Sequence, residues 1–134
     1  MAFVLDASAA ASLIFADESD PTELIARFSA DETAVVPTLF EWEIDNLLVT
    51  ALKQRRIDRA EIVAQLGRLA ELPIEETSLR RGSHAIIALA LAHGLSAYDA
   101  GYLDLALTAG IPVATRDRRL AAAAEAHSVE LVLT

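Results

Sequence analysis

Several residue types are absent or scarce in this chain of 134 residues, and each scarcity narrows the chemistry that it can perform. Cysteine is absent, which excludes disulfides, zinc–thiolate centres and cysteine nucleophiles and is typical of cytoplasmic proteins. The three histidines, His84, His93 and His127, lack the spacing of a histidine metal site. No run of about 18 apolar residues occurs, so we expect no membrane span. Asp6 interrupts the apolar start, which also lacks basic residues, so we expect no secretory signal.

The composition that remains is that of a globular domain with an acidic surface. Apolar residues make up 54% of the sequence, and we expect one domain spanning residues 1–134. The formal net charge of −9 argues against a general nucleic-acid coat protein. It fits a metal site, a cationic partner or simple solubility. Basic residues nevertheless cluster at 53–59 and 116–119, where they either contact phosphates or form solvated helix ends.

Short β-like segments alternate with helical ones along the chain. We predict strands at 2–5, 33–36, 73–76, 111–115 and 129–133, and helices at 8–15, 21–29, 38–56, 58–72, 80–93, 97–109 and 118–127. The helix at 80–93 is apolar almost all round, so we expect it to be buried. The alternation predicts an α/β fold with three layers, α/β/α, around a central parallel sheet of about five strands.

Four carboxylates lie at positions that an α/β fold brings to one edge of its sheet. Asp6 and Asp117 each come just after a predicted strand. Glu43 lies in the second turn of the helix that follows the second strand, and Asp99 stands at the start of the helix at 97–109. Each also has a purely structural explanation. The three aspartates suit helix capping, and Glu43 suits a solvated helix start.

Taken together, these carboxylates predict a cation site. The carboxyl ends of parallel strands meet at one edge, where ligands of such sheets bind. Two carboxylates about 4 Å apart repel each other by roughly 4 kcal/mol at an effective dielectric constant of about 20. Such a cluster therefore needs a proton or a cation. Oxygen donors without histidine or cysteine favour Mg²⁺ or Mn²⁺.

Other polar residues suit the same edge. Ser8 and Thr115 would supply hydroxyl groups, and Asn46, one turn after Glu43, would orient a carboxylate or a water. Ser8 and Asn46 alternatively bond the local backbone or face solvent. Small side chains at 7–11 leave room for a bulky substrate.

Four further charged residues lie near these positions in the sequence. Asp45 and Asp104 lie on other helix faces than the candidate site residues, so we expect both on the surface. Arg116 and Arg118 flank Asp117, and we expect them to steer phosphate groups toward the site.

Four short motifs follow one another along the chain. They are VLDAS at Val4–Ser8, the pair Glu43 and Asn46 after Pro37, the segment Tyr98–Ala106, and TRDRRL at Thr115–Leu120. Each motif alone is weak, but the ordered set resembles the PIN-domain family, and in particular the VapC-type toxins of bacterial toxin–antitoxin pairs. The resemblance spans essentially the whole chain, and no departure from the four-acid pattern appears.

The resemblance implies an endoribonuclease that depends on Mg²⁺ or Mn²⁺. By this resemblance Asp6, Glu43 and Asp99 would hold the main metal, and Asp117 would complete the acidic set. The metal would activate water for in-line attack on an RNA phosphodiester and would stabilise the departing oxygen. The resemblance also implies a homodimer and a cognate VapB-type antitoxin, often with an arginine aimed at the acidic pocket. The charge of −9 suits such a partner.

Three other protein classes are excluded because the sequence lacks a feature that each requires. A phosphatase of the HAD type needs a second aspartate two positions after Asp6, where Ser8 stands. A receiver domain needs a lysine late in the chain, and the only lysine, Lys53, lies in a predicted helix. The P-loop motif is absent. A PIN-like domain that has lost cleavage and serves as a binding module stays open as the alternative.

Overall fold

The computed structural model describes residues 1–15 and 17–133, in which four strands are flanked by seven helices. The strands are β1 (Ala2–Leu5), β2 (Thr33–Pro37), β3 (Ile74–Thr77) and β4 (Val113–Ala114). The helices are α1 (Ala7–Ile14), α2 (Thr22–Ser29), α3 (Leu39–Lys53), α4 (Arg59–Glu71), α5 (Ser83–His93), α6 (Ala97–Ala109) and α7 (Arg118–Ala126).

All strand pairs are parallel, and the order across the sheet is β3-β2-β1-β4. Val4 of β1 pairs with Val35 on one side and with Val113 on the other. Since the strands run the same way, β1, β2 and β4 all end at the same edge. The predicted α/β fold with a central parallel sheet is confirmed.

The sheet has four strands in the described residues, whereas we expected about five. The segment at 129–133 forms only an isolated bridge between Leu131 and Val113. Val113 N donates to the Glu130 carbonyl at 3.0 Å, and Val132 N donates to the Val113 carbonyl at 2.9 Å. Because β4 is only two residues long, it offers too short a template for a ladder. The apolar pattern at 129–133 reflected burial, since Val132 is buried.

The core surrounds β1, whose residues Phe3, Val4 and Leu5 are fully buried. A central parallel strand is covered on both faces, which explains why this run is continuously apolar rather than alternating. From α6, Leu103 and Leu105 add to the same core. This packing fixes the end of β1, and with it the position of the residue that follows.

Helix α5 differs from the prediction in its start and its burial. It begins at Ser83 rather than near residue 80, and it packs against α6 with Ile86 and Leu89 buried. Ile87 and Leu91, on its other side, are 52% and 80% exposed. A helix that is apolar all round does not say which face a neighbour covers, and here only one face is covered in the described part of the chain.

Asp104 on α6 is fully buried, which corrects the expectation of a surface position. Its Oδ2 accepts a hydrogen bond from the backbone N–H of Arg81 at 2.9 Å, and its Oδ1 accepts one from the Arg81 guanidinium. The cation makes burial of the carboxylate tolerable. The pair also ties the segment before α5 to α6. Asp45, by contrast, is exposed as expected.

No single helix among residues 1–15 and 17–133 has the length and apolar content to cross a membrane. One pair, α5 with α6, meets that criterion only when the two are joined across a bend of 110°.

Candidate active site

A cavity of about 720 Å³ is lined by all four predicted carboxylates, which come from four different parts of the chain. Asp6 follows β1, Glu43 lies on α3, Asp99 lies in the first turn of α6 and Asp117 precedes α7. We call this cavity the acidic crevice. Of the described residues that line it, none is lysine, arginine or histidine. The carboxylates therefore face each other without a cation from the chain.

Asp6 caps α1 and also faces the acidic crevice. Its Oδ1 accepts hydrogen bonds from Ala9 N and Ser8 Oγ, each at 2.8 Å, and its Oδ2 accepts one from the Thr115 hydroxyl. Burial raises the pKa of Asp6 to about 6, although these hydrogen bonds act in the opposite direction. The charge of Asp99 raises it further. Asp6 thus caps α1 as the structural explanation predicts, and the same carboxylate lines the crevice.

Glu43 is held by a tyrosine that the motif analysis did not single out. The Tyr102 hydroxyl donates a hydrogen bond to Glu43 Oε1 at 2.6 Å, and Tyr102 is only 1% exposed. Burial, followed by the nearby carboxylates, raises the pKa of Tyr102 far above its usual range, so the phenol stays a donor. Burial also raises the pKa of Glu43. Tyr102 lies three residues after Asp99, a spacing that places both on one face of α6 and that would have identified it.

Asp99 and Asp117 sit at the starts of two helices. The backbone N–H of Asp99 donates to Ser96 Oγ at 3.1 Å, and Asp117 Oδ1 accepts from the backbone N–H of Leu120 at 2.9 Å. Burial raises the pKa of Asp99, and the charge of Asp117 raises it further. The two carboxylates therefore repel each other electrostatically.

Two hydroxyl groups link the carboxyl ends of β1 and β4. Ser8 Oγ accepts a hydrogen bond from Arg116 N at 2.9 Å, and Thr115 Oγ1 accepts one from Asp117 N at 3.0 Å. Since both hydroxyls also bond Asp6, they fix the backbone on either side of that carboxylate. Asn46 is exposed and lines the crevice.

Arg116 and Arg118 line a neighbouring open cavity of about 950 Å³, and Asp117 lines both cavities. The Arg116 guanidinium donates to the carbonyl oxygen of Asp20, so it is engaged within the chain. Its Nε is buried and lacks a partner among the described residues. Arg118 is exposed. A basic segment thus borders the acidic crevice, and Arg118 is its more available member.

Comparison with known proteins matches this arrangement to a family. The model of the PIN domain matches residues 3–126. The chain belongs to the PIN domain family. The fold is also similar to the crystal structure of PAE2754 from Pyrobaculum aerophilum, with a TM-score of 0.72 and 23% identity over 98% of this chain and 84% of that one. At this identity the likeness supports the fold alone. No curated protein matches the sequence.

PIN domains are typically nucleases, and such nucleases generally act with divalent metals. The donor set of this PIN domain fits a hard cation, because the acidic crevice offers carboxylate oxygens and no nitrogen or sulfur ligand of histidine or cysteine. Within the described residues, no three acidic or histidine side chains are close enough to hold one ion directly. Mg²⁺ usually keeps several waters and binds one or two carboxylates, so the spacing fits a hydrated ion.

Proposed function

We propose that this PIN domain is a Mg²⁺- or Mn²⁺-dependent endoribonuclease and the toxin of a VapC-type toxin–antitoxin pair. The observation that carries the proposal is the acidic crevice, where three of four carboxylates have a raised pKa and no basic lining residue faces them among those described. Burial is the main cause of these shifts and repulsion between the carboxylates adds to it, and a divalent cation would offset both by stabilising the charged form. When bound, it would supply water activation and charge stabilisation for phosphodiester hydrolysis.

The residues of the crevice would divide the work. Asp6, Glu43 and Asp99 would hold the hydrated cation, with water between the ion and at least one of them, and Asp117 would complete the set. Ser8 and Thr115 hold the Asp6 carboxylate in place, and Asn46 would orient a carboxylate or a water.

Two features of the surroundings support RNA as the substrate. Trp42 and Tyr98 line the acidic crevice and are 78% and 65% exposed, so they are available for stacking on unpaired bases. Arg118, on the bordering basic segment, would attract the phosphate backbone despite the net charge of −9. The same acidic crevice suits a cationic side chain of a VapB-type antitoxin. We further propose a homodimer in the cytoplasm.

A cleavage assay with matched variants tests this proposal. Total RNA is incubated with the purified protein and Mg²⁺ or Mn²⁺, with and without EDTA. We expect metal-dependent cleavage that falls at least about a hundredfold in Asp99→Asn, because a group facing the cation is lost. The control Asp45→Asn alters an exposed aspartate of α3 that does not line the crevice, and it should cut as the wild type does. Arg118→Glu should weaken cleavage without altering the folded state.

The outcomes separate the two functions that the fold allows. Intact RNA in the wild-type, Asp99→Asn and EDTA samples alike would contradict the nuclease and favour a PIN-like binding module that has lost cleavage. Cleavage that survives EDTA and Asp99→Asn would point to a contaminating ribonuclease. For the toxin role, induced expression should arrest growth in the wild type and not in Asp99→Asn.

A further inference from the structure

A second cavity adjoins the acidic crevice. It has a volume of about 430 Å³ and lies where β2 and β3 end and where α3, α5 and α6 begin. Leu39 and Tyr98 line both cavities, so the two cavities meet at these side chains. A ligand at the carboxylates that extends past Leu39 and Tyr98 would enter this second cavity, which we call the side pocket.

The walls of the side pocket combine apolar faces with hydroxyl groups. Leu79, Ile86 and Ile87 supply apolar surface, and Tyr98 adds an aromatic ring at the border. The hydroxyl-bearing lining residues are Thr38, Thr77, Ser78 and Ser83. A nucleobase has two apolar faces and a polar edge, and it binds proteins by stacking on such side chains while its edge forms hydrogen bonds.

One cation, Arg80, lines the side pocket in the described part of the chain. Its Nε donates to the carbonyl oxygen of Arg81 at 3.1 Å, and no ion pair involves it among the described residues. The next residue, Arg81, is fixed to buried Asp104. Since this anchor holds the segment that carries Arg80, the guanidinium is positioned at the pocket and its remaining donors are free for a phosphate.

We propose that the side pocket binds the base of the nucleotide next to the phosphate held at the acidic crevice, with Arg80 contacting the phosphate of that nucleotide. The proposal rests on the proposed nuclease function. The alternative occupant is an apolar side chain of a protein partner. Such a side chain would bury hydroxyl groups without offering them partners, which is costly, whereas a base edge satisfies them.

Nucleotide binding tests the side pocket without any cleavage. The intact protein is titrated calorimetrically with AMP, GMP, CMP and UMP in the presence of Mg²⁺. Ser83→Trp fills the pocket and Arg80→Ala removes its cation. The matched controls are His84→Trp, the next residue of α5, and Arg59→Ala on α4, since both are exposed and outside the pocket lining. Affinity for at least one nucleotide should fall about tenfold in the two pocket variants and less than about twofold in the controls.

Several results would overturn the proposal. Equal affinity in Ser83→Trp and His84→Trp would do so and would favour a protein side chain as the occupant. Failure of all four nucleotides to bind the wild type at millimolar concentration would do so as well. If Ser83→Trp does not fold, Arg80→Ala against Arg59→Ala decides, because both arginines are exposed.

Cleavage of an RNA with randomised sequence adds a second readout. Sequencing of the cut ends should show a base preference at one position beside the cut in the wild type and in His84→Trp, and a weaker one in Ser83→Trp. An unchanged preference in Ser83→Trp would refute the side pocket while the nuclease stands. If no variant cuts RNA but nucleotide binding follows the expected pattern, the nuclease fails while the side pocket stands.

Discussion

Asp6 and Asp104 are both almost inaccessible to water, with exposed fractions of 3% and 0%, yet they face different partners. Asp104 accepts hydrogen bonds from the backbone and the guanidinium of Arg81, so a cation of the chain faces it. Asp6 accepts hydrogen bonds from two hydroxyls and one backbone N–H, all of them neutral. The charge that changes its pKa is the negative charge of Asp99, which raises it.

This difference distinguishes Asp104, whose carboxylate stabilises the fold, from Asp6, whose carboxylate is assigned to a ligand by the proposed function. A buried charge is tolerated when it is paired and bonded, as at Asp104. At Asp6 the cost of burial is not fully offset by neutral donors, and it remains as a pKa raised to about 6. Under the proposed function, a divalent cation from outside the chain would be the partner of Asp6. Its binding would then stabilise the folded state.

The largest effect that would test this comparison is a stability profile against pH in EDTA. The folded pKa of Asp6 lies above its unfolded value, so the folded state holds the proton longer. The free energy of unfolding should therefore fall as the pH rises from about 4 to about 6 and level off above that. The shift from 3.8 to about 6 corresponds to about 3 kcal/mol. Urea unfolding followed by circular dichroism at each pH measures it.

The control for that profile is Asp6→Asn, which removes the titrating group and keeps the shape. Glu43 and Asp99, whose pKa values are also raised, still titrate in this variant. Its loss of stability between pH 4 and 6 should therefore be smaller than that of the wild type by about 3 kcal/mol, so that the variant is more stable than the wild type at pH 7.5 in EDTA. Parallel curves for the two proteins would contradict the raised pKa of Asp6. Saturating Mn²⁺ should reverse the order at pH 7.5, because the wild type, with all four carboxylates, gains more from the ion than the variant does.

The next effect comes from the paired aspartate. Asp104→Ala should lower the free energy of unfolding by about 2 kcal/mol. This is less than for a fully buried pair, because the Arg81 side chain is 47% exposed and water screens it. Chemical unfolding at pH 7 measures the loss, and the exposed Asp45→Ala should stay within about 0.5 kcal/mol of the wild type. Equal stabilities of the two variants would refute the role of the Arg81 pair.

The two aspartates also show how far the sequence predicts the structure. The alternation of strands and helices and the order of the four motifs predicted the fold. The four candidate carboxylates, including Asp6 after β1, line one cavity of the structure. The burial of Asp104 was missed because its partner, Arg81, is 23 residues away and lies outside any periodic pattern. The spacing of Tyr102 from Asp99 indicates that it faces the site, but its contact with Glu43, 59 residues away, depends on how α3 and α6 pack. Helix period and strand ends are local signals, whereas side-chain pairing between distant elements depends on how they pack.

Glu43 is intermediate between Asp104 and Asp6, because its donor, the Tyr102 hydroxyl, is neutral but makes a short hydrogen bond of 2.6 Å. The smallest predicted effect tests this case. Tyr102→Phe removes the hydroxyl that donates to Glu43 Oε1 and keeps the buried ring. The affinity for Mn²⁺ should fall about tenfold, since Glu43 loses the group that orients it, and the free energy of unfolding should fall by about 1 kcal/mol. Calorimetric titration at pH 7.5 measures the affinity for Mn²⁺, and urea unfolding measures the free energy of unfolding.

The matched control is Tyr98→Phe at the rim of the crevice. The Tyr98 hydroxyl is in no hydrogen bond among the described residues, so this variant should bind Mn²⁺ as the wild type does. A variant that loses stability but keeps full Mn²⁺ affinity would place Tyr102 with Asp104, as part of the fold alone. A loss of affinity would place it with Asp6, as part of the site.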